Sequence, residues 1–175
     1  MSVQEQTYEV VKLHPDFEIR KYPNTICAIT SISESDYSSS SVAFRRIAKY
    51  IFGQNDSSMK IAMTSPVQRW NDEDGPKMAF IMPPEYQIGD LPSPVDEDIE
   101  LVEVSGGLSA VLRFSGFSGR RKAQARAKRL EAMIKEHNYR QISGPILAVY
   151  NNPSTTLPFL RRNEIIIPIE TAVEG

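Results

Sequence analysis

The sequence predicts an α+β fold: a distorted antiparallel β-barrel with two flanking helices, built from a β-β-α-β-β unit used twice. Three observations carry that prediction. Residues 16–32, DFEIRKYPNTICAITSI, align without a gap at an offset of 82 with residues 98–114, DIELVEVSGGLSAVLRF. Each of these segments leads into a stretch with helical apolar spacing and then into two further strand-like runs. Residues 83–98, PPEYQIGDLPSPVDED, carry four prolines and five acids and read as the connector between the halves.

A short strand is expected first, over residues 8–11. In each aligned segment an alternating run meets a turn, Pro23-Asn24 or Gly106-Gly107, and a second run rich in β-branched residues follows. That pattern reads as a β-hairpin, twice. After the first, Phe44, Ile47, Ala48 and Ile51 fall at i, i+3, i+4 and i+7. After the second, Ala123, Ala127, Leu130 and Ile134 form a similar stripe, with Met133 beside it. Ser38 to Ser41 offer N-caps for the first helix, Ser118 offers one for the second, and Gly53 stands at a natural C′ position. SPVQRW and KMAFIM then form a strand pair across NDEDGP, and ILAVY and NEIIIPI form the second pair. The repeats span about 8–82 and 98–170, and residues 1–175 are expected to form a single domain.

A chain of 175 residues with 41% hydrophobic and 24% charged residues is ordinary for a globular protein. Its net charge of −2 gives no overall pull toward nucleic acid or an anionic bilayer. The beginning has no secretory pattern, and no apolar run is long enough to span a membrane. A soluble, cytoplasmic protein without integral membrane contact and without a nucleic-acid partner is therefore the expectation. The single cysteine, Cys27, lies in a strand and reads as a buried, inert thiol.

Enzyme signatures such as GxSxG, a P-loop, GxGxxG and HExxH are missing. Six basic residues crowd 118–129, SGRRKAQARAKR, a solvated face or an anion site. The first helix is more informative. Phe44, Ala48 and Ile51 lie beside Arg45, Arg46 and Lys49, and small Ala48 leaves room for a shallow trough. Such a surface suits a flat apolar ligand with anionic edges: rings on the stripe, carboxylates on the bases. The stretch MKIAMTSPV, residues 59–67, holds two methionines; Met63 reads as core and Met59 as able to touch a ligand.

Several motifs resemble those of the SOUL/haem-binding-protein family. They are Tyr8-Glu9-Val10 with Glu18-Ile19-Arg20-Lys21-Tyr22, the helix end Lys49-Tyr50-Ile51-Phe52-Gly53-Gln54-Asn55, Lys60-Ile61-Ala62-Met63-Thr64-Ser65-Pro66-Val67, and Pro158-Phe159-Leu160-Arg161-Arg162-Asn163-Glu164. The resemblance implies a haem- or tetrapyrrole-binding protein acting as carrier or buffer rather than as an enzyme. It places the binding surface on Ser41, Phe44, Ala48 and Lys49 of the first helix and on Leu157 and Phe159 of the late loop. Arg45, Ile51 and Met59 join that set from the pattern above. Some relatives carry histidine just before the motif tyrosine, where this chain has Lys21, and others carry methionine where Phe44 and Ala48 stand, so no obvious strong axial ligand survives. His14, His137 and Met59 are the weak candidates for metal ligation. Two other readings stay open: a tetrapyrrole-processing enzyme that releases iron, and an effector- or protein-binding module using the basic helix.

Overall fold

A computed structural model describes residues 3–36, 40–116, 119–150 and 161–171. Among these, the elements run β1 (Gln4–Glu5), β2 (Glu9–Leu13), β3 (Glu18–Tyr22), β4 (Thr25–Ser31), α1 (Ser41–Ile51), β5 (Thr64–Ser65), β6 (Val67–Asp72), β7 (Gly75–Ile81), β8 (Glu100–Val104), β9 (Gly107–Ser115), α2 (Arg120–Glu136), β10 (Tyr139–Gln141), β11 (Ile146–Val149) and β12 (Arg162–Thr171). The chain divides into two compact units. Unit 1 holds residues 1–6 and 24–105, and unit 2 holds residues 7–23 and 106–175. Each unit packs antiparallel strands with one helix, and unit 1 adds a short parallel pair, β1 with β5, so the α+β class is the observed one.

The strands of the repeat form where the sequence places them, but the two hairpins do not. In unit 1, β4 pairs with β7 and β8, giving the order β6-β7-β4-β8. In unit 2, β3 pairs with β2 and β9, giving β2-β3-β9-β12-β11, with β10 on β12. So β3 does not pair with β4, nor β8 with β9. Pro23 is the reason on the first side. A two-residue hairpin loop needs positive φ at its first central residue, and proline is locked near −65°. On the second side the connecting residues Ser105 and Gly106 both lack positive φ. Gly106 instead lets chain pass close to chain, since a Cβ there would lie 2.2 Å from the Tyr22 carbonyl oxygen and 2.5 Å from the Pro23 carbonyl carbon.

Each helix buries one stripe on its own sheet. In unit 1, Ala43, Ile47, Tyr50 and Ile51 of α1 pack with Ala28, Ile32, Met78, Phe80 and Met82. In unit 2, Ala127, Leu130, Met133 and Ile134 of α2 pack with Leu112, Phe114, Ile165 and Ile167. Helix α1 starts on Asp36 rather than on a serine side chain: the carboxylate accepts the Val42 amide at 3.1 Å and the Ala43 amide at 3.0 Å. Ser40 occupies the N-cap position without a side-chain capping bond. Its other end is closed as the sequence suggests. Gly53 has φ of 115°, its amide reaches the Tyr50 carbonyl at 3.3 Å, and the Gln54 amide reaches that of Lys49 at 2.9 Å. The N-cap position of α2 is Gly119, and Ser118 lies outside the described residues. Cys27 is buried, and desolvation pushes its thiol up to about 11. No described helix is long and apolar enough to cross a membrane.

Candidate functional site

Helix α1 has no acidic residue and carries Arg45, Arg46 and Lys49, half of the six basic residues in unit 1. At 100° per residue, Ser41, Phe44, Arg45, Ala48 and Phe52 lie along one side, with Lys49 at its edge. That side is open: Phe44 is 41% exposed and Phe52 65%, while Ser41, Arg45 and Lys49 are exposed and Ala48 is half-buried. Phe44 is held from beneath by Phe80, with ring centres 5.1 Å apart. Arg45 and Lys49 make no ion pair among the described residues. Arg46 is engaged, donating to Thr30 Oγ1 at 3.0 Å and pairing with Asp96 at 3.3 Å. A cleft of about 130 Å³ borders the helix, lined by Arg46, Lys49, Tyr50, Gln54, Val95, Asp96 and Ile99. It falls below the ~300–1,000 Å³ usual for an enclosing ligand pocket. The geometry suits a ligand lying flat on the helix.

The structure brings Ser41, Phe44, Arg45, Ala48 and Lys49 together but corrects the place of Ile51. Ile51 is 1% exposed and belongs to the core of unit 1. The inward stripe runs through Ala43, Ile47, Tyr50 and Ile51, so Phe44 and Ala48 fall on its outer margin. Phe52, just beyond the helix, takes the surface position that Ile51 does not fill. Its signal was present in the sequence, since i+4 and i+8 from Phe44 are Ala48 and Phe52. Met59 and Met63 are half-buried and pack against the core. The Met59 amide and carbonyl are both bound by the Asn55 side chain, at 3.0 and 2.8 Å. Leu157 and Phe159 lie outside the described residues.

The two histidines belong to unit 2. His14 Nε2 bonds the Tyr139 hydroxyl at 3.1 Å, and His137 Nδ1 bonds the Met133 carbonyl at 2.9 Å. No cluster of three or more His, Cys, Asp or Glu side chains among the described residues is arranged to hold a metal ion.

Unit 2 also holds a buried ionic network that sequence spacing does not reveal. Arg20 and Glu164 are both fully buried and meet through two bonds, Nη1 to Oε1 at 2.9 Å and Nη2 to Oε2 at 2.5 Å. Arg20 also donates to Glu18 at 2.8 Å and to the Tyr22 hydroxyl at 2.9 Å. Its guanidinium lies 3.9 Å from the centre of the Tyr8 ring. Arg113 and Arg162 approach the same carboxylate at 3.5 and 3.8 Å. Burial pushes the Glu164 pKa upward, but hydrogen bonds from Arg20 and Tyr150 with the charges of Arg20 and Arg162 outweigh it, and the carboxyl sits below its ordinary value. Desolvation raises Tyr22 to about 12 against the pull of Arg20. Two of the motifs noted in the sequence, 18–22 and 161–164, thus meet as internal structure.

A family model described as "SOUL heme-binding protein" matches residues 3–168. "Heme-binding protein 2" of Homo sapiens is 30% identical over 128 residues, which cover 69% of this chain and 62% of that protein. "Heme-binding protein 1" of Mus musculus is 28% identical over 130 residues, 70% of this chain and 67% of that protein. Among solved structures, the EcmrR C-terminal domain superposes with a TM-score of 0.64 at 12% identity, covering 94% of this chain and 99% of that one. A hydrolase from Listeria innocua gives 0.58 at 11% identity, covering 91% and 94%. At these identities the structural likenesses show the fold alone.

Proposed function

The chain belongs to the SOUL heme-binding protein family, and from that premise we propose that it binds haem or a related tetrapyrrole on the open face of α1, as a carrier or buffer. The observation that carries this reading is the conjunction on one helix of exposed Phe44 and Phe52, small Ala48 between them, and Arg45 and Lys49, which make no ion pair among the described residues. A flat macrocycle covers the aromatic pair. Its carboxylates meet cations in a unit that is otherwise acidic. Each fully buried apolar side chain contributes roughly 1.5–3 kcal/mol. After the cost of association, a few such contacts support micromolar affinity, about −8 kcal/mol. The α1 face itself offers no imidazole or thiolate, so binding rests on the ring face and the carboxylates more than on iron. Weak, open-faced binding suits a protein that hands its ligand on.

Haemin added to the purified protein should give a saturable Soret shift at micromolar concentration, and iron-free protoporphyrin should bind within a few-fold of it. No saturable shift up to tens of micromolar would overturn the proposal. Bound haem should pass to an apo-globin acceptor and be recovered intact by mass spectrometry. Recovery as a modified ring or as iron-free porphyrin would favour processing over carriage.

A further inference from the structure

The only two histidines of the chain, 123 positions apart in sequence, lie with ring centres 4.5 Å apart and planes at 65°. Neither belongs to the α1 face. His14 sits in the turn between β2 and β3, closed by its amide bonding the Phe17 carbonyl at 2.9 Å. Its ring stacks on buried Phe17, centres 4.4 Å apart and planes within 8°. His137 is the C-cap of α2. Different elements thus deliver the two imidazoles to one place on unit 2.

Their hydrogen bonds determine which nitrogens are available. A carbonyl oxygen only accepts, so His137 Nδ1 carries its proton to Met133, and Nε2 keeps a lone pair in the neutral ring. His14 Nε2 bonds the Tyr139 hydroxyl, and in the tautomer whose Nε2–H donates to that oxygen Nδ1 keeps its lone pair. One ring nitrogen anchored to a carbonyl or hydroxyl, with the other open, is the second-shell arrangement that orients metal-binding imidazoles. Two nitrogens on one metal at about 2.0–2.1 Å each lie roughly 3 Å apart. Two imidazoles bound cis to one metal at that distance have ring centres about 4.4 Å apart, the separation that His14 and His137 already show with both anchoring bonds in place. Desolvation, His137 and Lys12 hold the His14 pKa below its ordinary value, which favours the neutral ring that a metal requires.

We infer that His14 and His137 form a two-imidazole site for a borderline divalent transition metal, Cu²⁺ before Ni²⁺ or Zn²⁺. The preference follows the affinity order of nitrogen sites. Water completes the coordination, because the described residues supply no third acidic, thiol or imidazole ligand there. The site is therefore open and exchangeable. Lys12 opposes the cation, and it sets the affinity below that of an uncharged surround.

The test is Cu²⁺ titration of the haem-free, full-length protein, read by electron paramagnetic resonance. One ion per chain should bind with micromolar affinity and show coupling to two imidazole nitrogens. H137Q, at an exposed position, should leave coupling to one nitrogen and weaken binding at least tenfold. H14N should do the same, and K12Q should tighten binding a few-fold. Unchanged affinity in the H14N/H137Q double variant, or a wild-type spectrum without imidazole coupling, would overturn the inference. Because no tetrapyrrole is present, the outcome is independent of the haem reading.

Discussion

The two units each pack one helix on antiparallel strands but carry opposite charge. Unit 1 contains fourteen acidic and six basic residues, and unit 2 contains eight acidic and fourteen basic. Within acidic unit 1, α1 is a basic helix with aromatic rings left in solvent. Within basic unit 2, α2 presents Arg121, Lys128 and Lys135 with exposed alanines, and no large apolar side chain lies on its open side. The family motifs divide in the same way. Glu18, Arg20 and Tyr22 of one motif and Arg162 and Glu164 of another meet in an internal network in unit 2, whereas the helix motif 49–55 borders the open face of unit 1. A family signature can thus build the interior of one unit and border an open helix face in the other.

The largest effect should come from breaking the interior of unit 2. Glu164→Ala removes the buried carboxylate that takes both guanidinium nitrogens of Arg20, leaving Glu18 and the Tyr22 hydroxyl, and should cost about 3–5 kcal/mol in urea unfolding. The paired change Arg20→Met with Glu164→Leu should cost less than either single change, and a larger loss would show that the network does more than satisfy itself. Next comes the surface of unit 1. Phe44→Ala and Phe52→Ala should each weaken haem binding by about 1–2 kcal/mol, roughly 5–30-fold in Kd. Phe52→Ala should leave the urea midpoint unchanged, since its ring is mostly in solvent. Asp36→Ala removes the cap of α1 and should lower stability by about 0.5–2 kcal/mol.

The smallest effect is on pH dependence. The folded Glu164 pKa is lowered, so its contribution is present above the ordinary carboxyl range near 4.3 and lost as pH falls through the lower folded value. The folded His14 pKa is also lowered. The unfolded chain therefore takes up that proton first, and stability declines as pH falls from about 6.5 toward the folded value. H14N should flatten the upper part of this slope and leave the acid limb intact, and stability measured against pH separates the two.

Local order was legible in the sequence where it depends on neighbours along the chain. Both helices, the Gly53 terminus and the β6–β7 hairpin follow from spacing and turn residues. The pairing of β3 with β9 and of β4 with β8 was not, because alternation marks a strand without marking its partner, although Pro23 held the argument against a hairpin. The α1 face was legible through Phe44, Ala48 and Lys49, and its phase was wrong by one position at Ile51 because Tyr50 fills the core stripe as an apolar residue would. The Arg20–Glu164 pair and the His14–His137 pair join residues more than a hundred positions apart, and no spacing rule reaches across that distance.

The proposed seat of the tetrapyrrole is α1 of unit 1. Amide chemical-shift mapping by NMR with iron-free protoporphyrin tests it most directly, without paramagnetic broadening. The largest shifts should fall over residues 41–54, centred on Phe44, Ala48 and Phe52, and should be lost in a Phe44→Ala/Phe52→Ala variant. Saturable shifts confined to unit 2, with the α1 amides unmoved, would contradict it.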